Sequence, residues 1–524
     1  MPGADLPEAQ RNQLLRRVDW RFLLPVSQVE KAVCFPDGDL REGLALVAGQ
    51  VVDAGADHQA DCDLAVAINP DAVALERARA ALVLGGVLYA EWHTRTIQGV
   101  GGIAGRLQAA GFGQARAYLA WPSSSWPYTW VPLGSPGAIG YFRRHLHARS
   151  SARTLGARIL RTALTLGAQA GIIGPLCFVA RKSDTAREED AEPELFARIR
   201  QGWGDWGLAG APNDLAIMLL TRGPRTANKI AGLVFAGADT QPRLVVKIAR
   251  VADARPGLLR EATTLPGIQR YCRGGLEGAP RVLFTVDDGK RVAVGETALP
   301  GVPMLTRLSR RSYRSFALQA TDWLVDLARC ERGEDRTPPA CRLIDEALAE
   351  FVGSFGSLLE PELVARTRAA MARLDNLASV CEHRDFSPWN VFVTPHGGFA
   401  VFDWESSEPA GLPGLDLHYF LAYLAFALDR ARQTPAMLRS YRVALDPTSF
   451  TGAVHRECLT RYAERVGLEP AAFHPLRLLT WIIHSRSECR RLTADAAGAP
   501  PIELLRHSLF LELWRAEALR GGTD

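Results

Sequence analysis

The sequence predicts a doubly wound α/β domain followed by an α+β domain, which has a small β-rich lobe and a larger helical lobe. In the first half, short apolar runs alternate with helical patterns, from KAVCF at residue 31 to VLYAEW at residues 87–92. Strands separated by helices of that length indicate a parallel sheet with crossover helices. In the second half, strand-like segments near 215–250 and 281–298 precede long helical patterns.

The polar stretch SDTAREEDAEP at 183–193 separates the two halves and predicts a linker. The length of 524 residues allows two to four domains. We therefore expect four successive regions: a doubly wound domain at 1–183, a linker at 184–193, a β-rich lobe at 194–300 and a helical lobe at 301–524.

The composition excludes several classes of protein. Hydrophobic residues make up 47% and charged residues 23%, as in soluble globular proteins and unlike disordered or fibrous ones. The formal net charge of +4 is too near balance for a nucleic-acid footprint. The nine cysteines include no C-x-x-C pair, which predicts reduced thiols in the cytoplasm with neither a disulfide framework nor a zinc site.

Two further features concern membranes and export. The first twenty residues show no apolar run and predict no secretory signal. The uncharged stretch from Thr162 to Ala180 approaches the length of a membrane span, but its three glycines, Gln169 and Pro175 argue against insertion. We expect a helix, a Gly-Pro turn and the buried strand LCFVA there, and no stable membrane insertion.

Lysine is rare in this chain, since the 61 basic residues include only five lysines. Replacement of lysine by arginine in a GC-rich genome explains this at most positions. A lysine retained against that bias is a candidate for chemistry that arginine does not supply.

The strongest motif is HRDFSPWN at residues 383–390, followed by two short apolar strands and then Asp403. Asp385 precedes Asn390 by five residues, and a β-hairpin would bring Asp403 back beside both. Transfer of a phosphoryl group from ATP needs a carboxylate that accepts the proton of the incoming hydroxyl, and oxygen ligands for Mg²⁺. The spacing predicts that Asp385 is the catalytic base and that Asn390 and Asp403 bind Mg²⁺.

This pattern resembles the aminoglycoside phosphotransferase and choline kinase family, the small-molecule branch of the protein-kinase-like fold. The resemblance rests on H-x-D-x-x-x-x-N followed by an apolar strand that ends in Asp. It implies a bilobal kinase-like fold from about residue 194 to 524, with ATP and Mg²⁺ as cofactors. Only 13 residues separate Asp403 from Asp416, too few for a peptide-docking segment, which favours a small hydroxylated acceptor.

A kinase-like interpretation also requires a lysine on a β-strand and an acidic partner on the next helix. Lys247 lies in the apolar strand RLVVKIA, and Glu261 opens the following helical pattern. A buried lysine without a partner is costly, so we expect Glu261 to pair with Lys247 on the α- and β-phosphates, with an edge-strand lysine as the alternative. Glu296, Thr297 and Ala298 are the expected hinge residues, which contact the adenine through their backbone.

The loop that would cover the phosphates departs from the glycine-rich pattern of protein kinases. The segment TRGPRTANK at 221–229 offers Thr226 and Asn228 as phosphate donors, or alternatively as plain turn residues.

On the acceptor side, the resemblance implies that Asp416 braces the catalytic loop, unless it is an ordinary helix cap. Glu405 either contacts the metal region or is a solvated acid. His484, Arg486, Arg490 and Arg491 either receive an anionic acceptor or form a solvated helix face.

The N-terminal half resembles the second half of class I S-adenosylmethionine-dependent methyltransferases, which have a Rossmann-like fold. The matching residues are Leu84-Gly85-Gly86 and Ala110-Gly111-Phe112, and Asp53 takes the place of the acid that binds the ribose. The glycine-rich turn after the first strand is missing, because only Gly38 follows KAVCF. We therefore expect a degenerate domain used for docking or orientation, with methyl transfer or the binding of another nucleotide or sugar ligand as the alternatives.

The sequence thus predicts a cytoplasmic, ATP- and Mg²⁺-dependent phosphotransferase acting on a hydroxyl group of a small molecule, with no nucleic-acid partner. A bifunctional methyltransferase-kinase and a non-catalytic nucleotide-binding scaffold are the alternatives. The identity of the acceptor, ATP against GTP as donor, and the oligomeric state stay open.

Overall fold

The computed structural model describes residues 6–26, 28–53, 60–93, 99–147, 175–183, 191–272, 275–289, 291–330, 340–374, 377–495 and 502–521. The chain divides into two compact units. The first contains Met1–Leu258 and Leu283–Ala298, and the second contains Leu259–Val282 and Leu299–Asp524.

The strands of the described residues are numbered in chain order. They are β1 (Lys31–Cys34), β2 (Gln50–Asp53), β3 (Cys62–Ile68), β4 (Leu82–Trp92), β5 (Arg116–Trp121), β6 (Thr129–Pro132), β7 (Leu176–Arg181), β8 (Leu215–Leu220), β9 (Ile230–Ala236), β10 (Leu244–Ile248), β11 (Val282–Asp287), β12 (Val292–Thr297), β13 (Val302–Pro303), β14 (Val380–Glu382), β15 (Val391–Val393), β16 (Phe399–Val401) and β17 (Glu408–Gly411).

The α-helices are numbered in the same way. They are α1 (Glu8–Arg17), α2 (Asp39–Ala45), α3 (Ala72–Ala81), α4 (Gly99–Ala109), α5 (Pro136–Tyr141), α6 (Leu195–Gly202), α7 (Arg255–Tyr271), α8 (Met304–Arg307), α9 (Arg310–Ala328), α10 (Ala340–Phe355), α11 (Pro361–Met371), α12 (Leu415–Asp429), α13 (Thr434–Leu445), α14 (Phe450–Val466), α15 (Phe473–Asp495), α16 (Ile502–Arg506) and α17 (Leu509–Arg520).

The first unit is built on one mixed sheet in the order β11-β12-β10-β9-β8-β6-β5-β7-β4-β3-β1-β2. Strands β2, β1, β3 and β4 are parallel neighbours. Leu40 of α2 joins the core on one face of this parallel part, whereas Leu75 of α3 and Leu107 of α4 join the core on the other. Helices therefore cover both faces, as short apolar strands buried on both sides require.

The sheet does not end at the polar stretch 183–193. Strand β7 lies antiparallel between β4 and β5, as expected for a last strand LCFVA, and β6 pairs with β8 through Thr129 and Leu220. The pairing of β6 with β8 joins the N-terminal strands to the β-rich segment 215–297 in one continuous sheet. Residues 162–174 and 184–190, on which the predicted helix, turn and most of the linker fall, lie outside the described residues.

The segment ALERARAALVLGG contains both a helix and the start of a strand, since α3 ends at Ala81 and β4 begins at Leu82. The register of β4 against β3 shifts between Cys62 and Leu64, where Gly85 adopts a positive φ of 77°. The residues Leu84-Gly85-Gly86, which carried part of the methyltransferase resemblance, therefore form an irregularity within a strand, which glycine permits because it lacks a Cβ.

The second unit is mainly helical. Its core combines α9 and α12 with α15, and the buried ring of Trp481 lies among them. Two small sheets lie in this unit, β13-β15-β16 and β14-β17. Within the residues that the structure describes, no helix is both long and apolar enough to cross a membrane.

The expectation of reduced thiols is wrong for one pair of cysteines. Cys272, just after the end of α7, and Cys330, just after the end of α9, form a disulfide with their Cα atoms 4.4 Å apart. A separation of 58 positions gives no local signal of this pairing, which arises because the two helices end side by side. Five of the other seven cysteines are buried.

Candidate active site

The catalytic loop predicted at residues 383–390 connects β14 to β15. The carboxylate of Asp416, in the first turn of α12, accepts hydrogen bonds from the backbone N–H groups of His383 at 2.7 Å and Arg384 at 2.8 Å. Arg384 itself has a positive φ of 63°, a costly conformation for a residue with a Cβ. The brace expected of Asp416 is confirmed, since its carboxylate fixes this strained turn.

Asp385 lies in the loop that Asp416 braces. The side-chain amide of Asn390 donates to the Asp385 Oδ2 at 2.8 Å and to the Asp385 backbone carbonyl at 3.0 Å. Burial raises the pKa of Asp385 to about 7, and the negative charge of Asp403 acts in the same direction. A carboxylate with this pKa and a fixed rotamer has the properties of a proton acceptor near neutral pH.

The hairpin formed by β15 and β16 brings Asp403 back to the loop, as the spacing predicted. Val391 pairs with Val401, and the backbone N–H of Phe402 donates to the Asn390 carbonyl at 2.9 Å. Asp403 follows directly, with a positive φ of 74°. The structure thus brings Asp385, Asn390 and Asp403 together within the second unit.

Aromatic packing supports this hairpin and loop. Phe386 stacks on Trp323 of α9 with ring centroids 5.1 Å apart, and Trp323 also contacts Trp404. The carboxylate of Glu261 accepts the backbone N–H of Trp404 at 2.9 Å. Glu261 therefore holds the residue that follows Asp403, a role that sequence reasoning missed because it looked for a lysine partner.

Lys247 contacts a different acid from the one predicted. Its Nζ lies 2.9 Å from Glu296 Oε2 and 3.1 Å from Glu296 Oε1, and both side chains are buried. Lys247 lies in the first unit and Glu261 in the second. The predicted pairing of these two side chains therefore stays a prediction. The antiparallel register of β10 and β12 places Lys247 opposite Val294, which puts Lys247 and Glu296 on one face. Both strands had been predicted from the sequence, and only the register between them was missing for predicting this contact.

The other predicted nucleotide residues are located as follows. Thr297 pairs with Leu244 at the edge of β12, and the Ala298 N–H donates to the Arg243 carbonyl at 3.3 Å. The Asn228 side chain accepts the Arg225 N–H at 2.8 Å, which is the behaviour of a turn residue. Thr226 is buried and bonded to Glu8 of α1, a contact considered further below.

The basic residues of α15 are engaged by protein acids. Arg486 and Arg490 both bind Glu350, and Arg491 lies 3.6 Å from Glu488. The ring of His484 stacks on Tyr419, and burial lowers its pKa to about 3, so it is neutral at physiological pH. These contacts favour the solvated or structural interpretation over an anion site.

Beside the catalytic loop, Trp389 is exposed and packs its edge against Tyr423. Glu405 is half-buried in the turn after Asp403, where its negative charge contributes to the raised pKa of Asp385. Whether Glu405 contacts the metal region or is a solvated acid stays a prediction.

In the N-terminal strands, the predicted ribose ligand Asp53 is paired with Arg41 of α2 at 2.5 Å. At the end of β4, sequence reasoning missed a buried cluster. Glu91 binds Arg17, Tyr89 and His93, and its pKa is lowered to about 2 because these hydrogen bonds and charges outweigh the opposing effect of burial. Among the described residues, no group of three or more His, Cys, Asp or Glu side chains forms a metal site.

The comparison with protein families matches residues 232–454 to APH, the phosphotransferase enzyme family. This stretch runs from β9 into α14 and includes the lysine strand, the catalytic loop and the Asp403 hairpin. The C-terminal part therefore carries the kinase-like fold of that family, as predicted. No curated protein matches the chain in sequence.

Solved structures that resemble the chain are aminoglycoside phosphotransferases. One is a thermostable mutant of APH(4)-Ia with ADP and hygromycin B, which is 14% identical with a TM-score of 0.37 and covers 59% of this chain and 95% of its own. A second is the gentamicin complex of APH(2")-IIa, which is 14% identical with a TM-score of 0.38 and covers 63% of this chain and 97% of its own. A third is the streptomycin–ATP complex of APH(2")-IIa, which is 15% identical with a TM-score of 0.37 and covers 62% of this chain and 99% of its own. Similarity at this level carries no argument about the reaction.

Proposed function

We propose that the chain is an ATP- and Mg²⁺-dependent phosphotransferase that phosphorylates a hydroxyl group of a small molecule in the cytoplasm. The observation that carries this proposal is the braced loop in the second unit. There Asp385 is fixed by Asn390, and the loop is fixed by Asp416. This loop lies inside the stretch that matches the phosphotransferase family.

Asp385 orients the acceptor hydroxyl and takes its proton. Its raised pKa supports this role, because a base is most effective when its pKa lies near the working pH. Its tie to Asn390 holds the carboxylate in one orientation, so the hydroxyl meets a base already in place.

Asn390 and Asp403 would hold Mg²⁺. Both offer the hard oxygen atoms that this ion prefers. The negative charges of Asp403 and Glu405 raise the pKa of Asp385, and a cation among them would relieve that repulsion. The ion would supply charge neutralisation at the transferred phosphate.

In the first unit, Lys247 neutralises the α- and β-phosphates of the nucleotide. Its contact with Glu296 pairs the buried amino group with a carboxylate. The backbone of Glu296, Thr297 and Ala298 meets the adenine, and Thr226 and Asn228 belong to the loop over the phosphates. We propose ATP as donor, as in the streptomycin–ATP complex of APH(2")-IIa.

Residues 1–183 are proposed to be a degenerate methyltransferase-like domain that serves docking or orientation. The four parallel strands with the antiparallel β7 beside β4 support that relationship. The ion pair of Asp53 with Arg41 places a cation where a ribose hydroxyl would bind. This argues against a bifunctional methyltransferase-kinase.

Calorimetry followed by a transfer assay tests the proposal. Wild type should bind ATP with Mg²⁺, should give no heat with S-adenosylmethionine, and should transfer ³²P from ATP to a member of a panel of hydroxylated acceptors. Asp403→Ala should lose transfer by about 10³-fold or more, because it removes a metal ligand. Asp345→Asn, an exposed acid on α10, is the matched control. Equal transfer by all three proteins would overturn the role of Asp403, and no nucleotide binding by wild type would overturn the proposed function. Nucleotide binding by wild type without transfer to any acceptor would favour the non-catalytic scaffold.

A further inference from the structure

The first helix of the chain binds the loop that joins β8 to β9, residues 221–229, here called the nucleotide loop. The Glu8 carboxylate accepts the backbone N–H of Thr226 at 2.6 Å and the Thr226 hydroxyl at 3.1 Å. Thr226 is only 4% exposed, so this carboxylate covers it. Two hydrogen bonds from one residue to one charged acceptor fix both the backbone and the side chain at that point of the loop.

A second contact lies one turn further along α1. Asn12 donates to the Gly223 carbonyl at 3.3 Å, and Arg16 donates to the same oxygen. Gly223 has a φ of 137°, and a Cβ there would lie 2.5 Å from the side chain of Asn228. The carbonyl held by α1 therefore belongs to a residue at which only glycine fits the conformation of the loop.

Glu8, Asn12 and Arg16 share one face of α1, because residues four apart in a helix lie one above the other. All three point at the nucleotide loop. Arg16 is further held against the ring of Trp126, with its guanidinium 4.5 Å from the ring centroid. The repeat of contacts at every fourth residue makes α1 a rigid support along this side of the loop.

Arg250 completes the attachment. Its guanidinium donates to the carbonyls of Thr221 at 3.0 Å and Arg225 at 3.4 Å, one near each end of the bend. It also binds Asn12 at 2.9 Å and Asp19 at 2.8 Å, and the Arg250–Asp19 pair is fully buried. Arg250 lies three residues after Lys247, just beyond the end of β10. The segment that directly follows the lysine strand therefore anchors the loop to the N-terminal segment.

We propose that α1 is a positioning element of the nucleotide site, and that Glu8, Asn12 and Arg16 set the shape of the nucleotide loop. This inference rests on the proposed function. Ordering a flexible loop costs conformational free energy at every residue, and a loop ordered before the nucleotide arrives spares that cost at binding. The chain lacks the glycine pattern of protein kinases at 221–229, and the contacts from α1 take over the task of fixing the loop.

The experiment compares Glu8→Ala and Glu8→Gln with Gln10→Ala, an exposed control on the same helix. Glu8→Ala should raise the KM for ATP about fivefold or more, because both hydrogen bonds to Thr226 are lost, with kcat and the acceptor KM unchanged. Glu8→Gln keeps an acceptor for the Thr226 N–H and should restore most of the affinity. Hydrogen exchange should show faster exchange of the 221–229 amides in Glu8→Ala than in the control.

The outcomes separate the two proposals. An unchanged KM in Glu8→Ala means that α1 only packs against the loop, and a lowered KM means that Glu8 competes with the phosphates. Either result overturns the positioning role while leaving the phosphotransferase intact. A wild-type chain that binds no nucleotide overturns the proposed function, and the positioning role with it, whatever the exchange data show.

Discussion

The ends of the N-terminal parallel strands and the catalytic loop both gather acidic side chains, but they treat the charge in opposite ways. At the end of β4, the charge of Glu91 is matched by the guanidinium of Arg17, and its pKa falls to about 2 despite burial because Tyr89 and His93 also form hydrogen bonds with it. In the catalytic loop, burial raises the pKa values of Asp385 and Asp416 to about 7 each, and neighbouring acids add to both shifts.

This difference distinguishes an acid that stabilises the fold from acids that are suited to chemistry. An acid that is fully matched by cations contributes to stability and has no remaining affinity for a proton near pH 7. A cluster of acids whose charge is not fully matched costs stability, and folded proteins retain such clusters mainly at functional sites. The contrast supports the proposal that the reaction takes place in the second unit and that the N-terminal strands have a supporting role.

Among the variants that bear on this comparison, the largest effect after the catalytic-loop acids is expected for Lys247. Lys247 belongs to a matched ion pair and yet is proposed to bind the nucleotide phosphates, so it would break a simple form of the comparison. Removing one partner of a buried pair destabilises the fold, so the variant is the double substitution Lys247→Met with Glu296→Gln. Phosphate transfer should fall about 10²–10³-fold, because a phosphate-neutralising charge is lost. Steady-state kinetics and thermal unfolding measure the two effects separately.

The control for that variant is another buried ion pair, Arg477 of α15 with Glu517 of α17, in the second unit. Arg477→Met with Glu517→Gln should shift thermal unfolding comparably and leave kcat/KM for ATP unchanged. Similar losses of transfer in both double variants would show that Lys247 acts only through stability.

A smaller effect is expected for Asp416→Asn. This variant sharpens the comparison because the hydrogen bonds of the Asp416 carboxylate to the loop come from the backbone N–H groups of His383 and Arg384. Weakening one charged hydrogen bond to the His383 or Arg384 N–H should lower kcat about 10–100-fold at pH 8, with little change in ATP affinity. Asp345→Asn again serves as control.

The same substitution has a pH signature. The pKa of Asp416 is raised by burial from 3.8 to about 7, so its contribution to stability is present below pH 3.8 and is lost as pH rises to about 7. In wild type, this group lowers the free energy of unfolding by up to about 1.4 kcal/mol per pH unit over that window. Asp416→Asn should flatten that slope in chemical denaturation, and an unchanged slope would show that Asp416 is not the buried acid responsible.

The smallest effect is expected at Asp53, which lies at the end of β2 among the N-terminal parallel strands. Asp53→Ala removes a largely exposed ion pair with Arg41, which is worth at most about 1 kcal/mol. Transfer and ATP affinity should match wild type. A clear loss of transfer would mean that the N-terminal strands take part in the reaction.

Local patterns in the sequence predicted much of the fold and of the site. The parallel strands β1 to β4, the hairpin of β15 and β16, and the grouping of Asp385, Asn390 and Asp403 follow from apolar periodicity and fixed spacing over short distances. The role of Asp416 was also predictable, although only through the family resemblance.

What the sequence did not predict depends on contacts between distant segments. The pairing of β6 with β8 and the disulfide of Cys272 with Cys330 join residues that no local spacing relates. The docking of α1 on the nucleotide loop spans more than two hundred positions, as from Glu8 to Thr226. A one-residue error in strand register changes the face of every side chain, which is why the contact of Lys247 with Glu296 needed the observed register.

The most direct test of the central claim separates nucleotide binding from transfer in one variant, Asp385→Asn. Asn keeps the size of Asp385 and removes its ability to accept a proton. Calorimetry with ATP and Mg²⁺ should give wild-type affinity, while ³²P transfer to the acceptor should fall by about 10²–10⁴-fold, the usual contribution of a general base. Wild-type transfer by Asp385→Asn would contradict the assignment of the reaction to the catalytic loop.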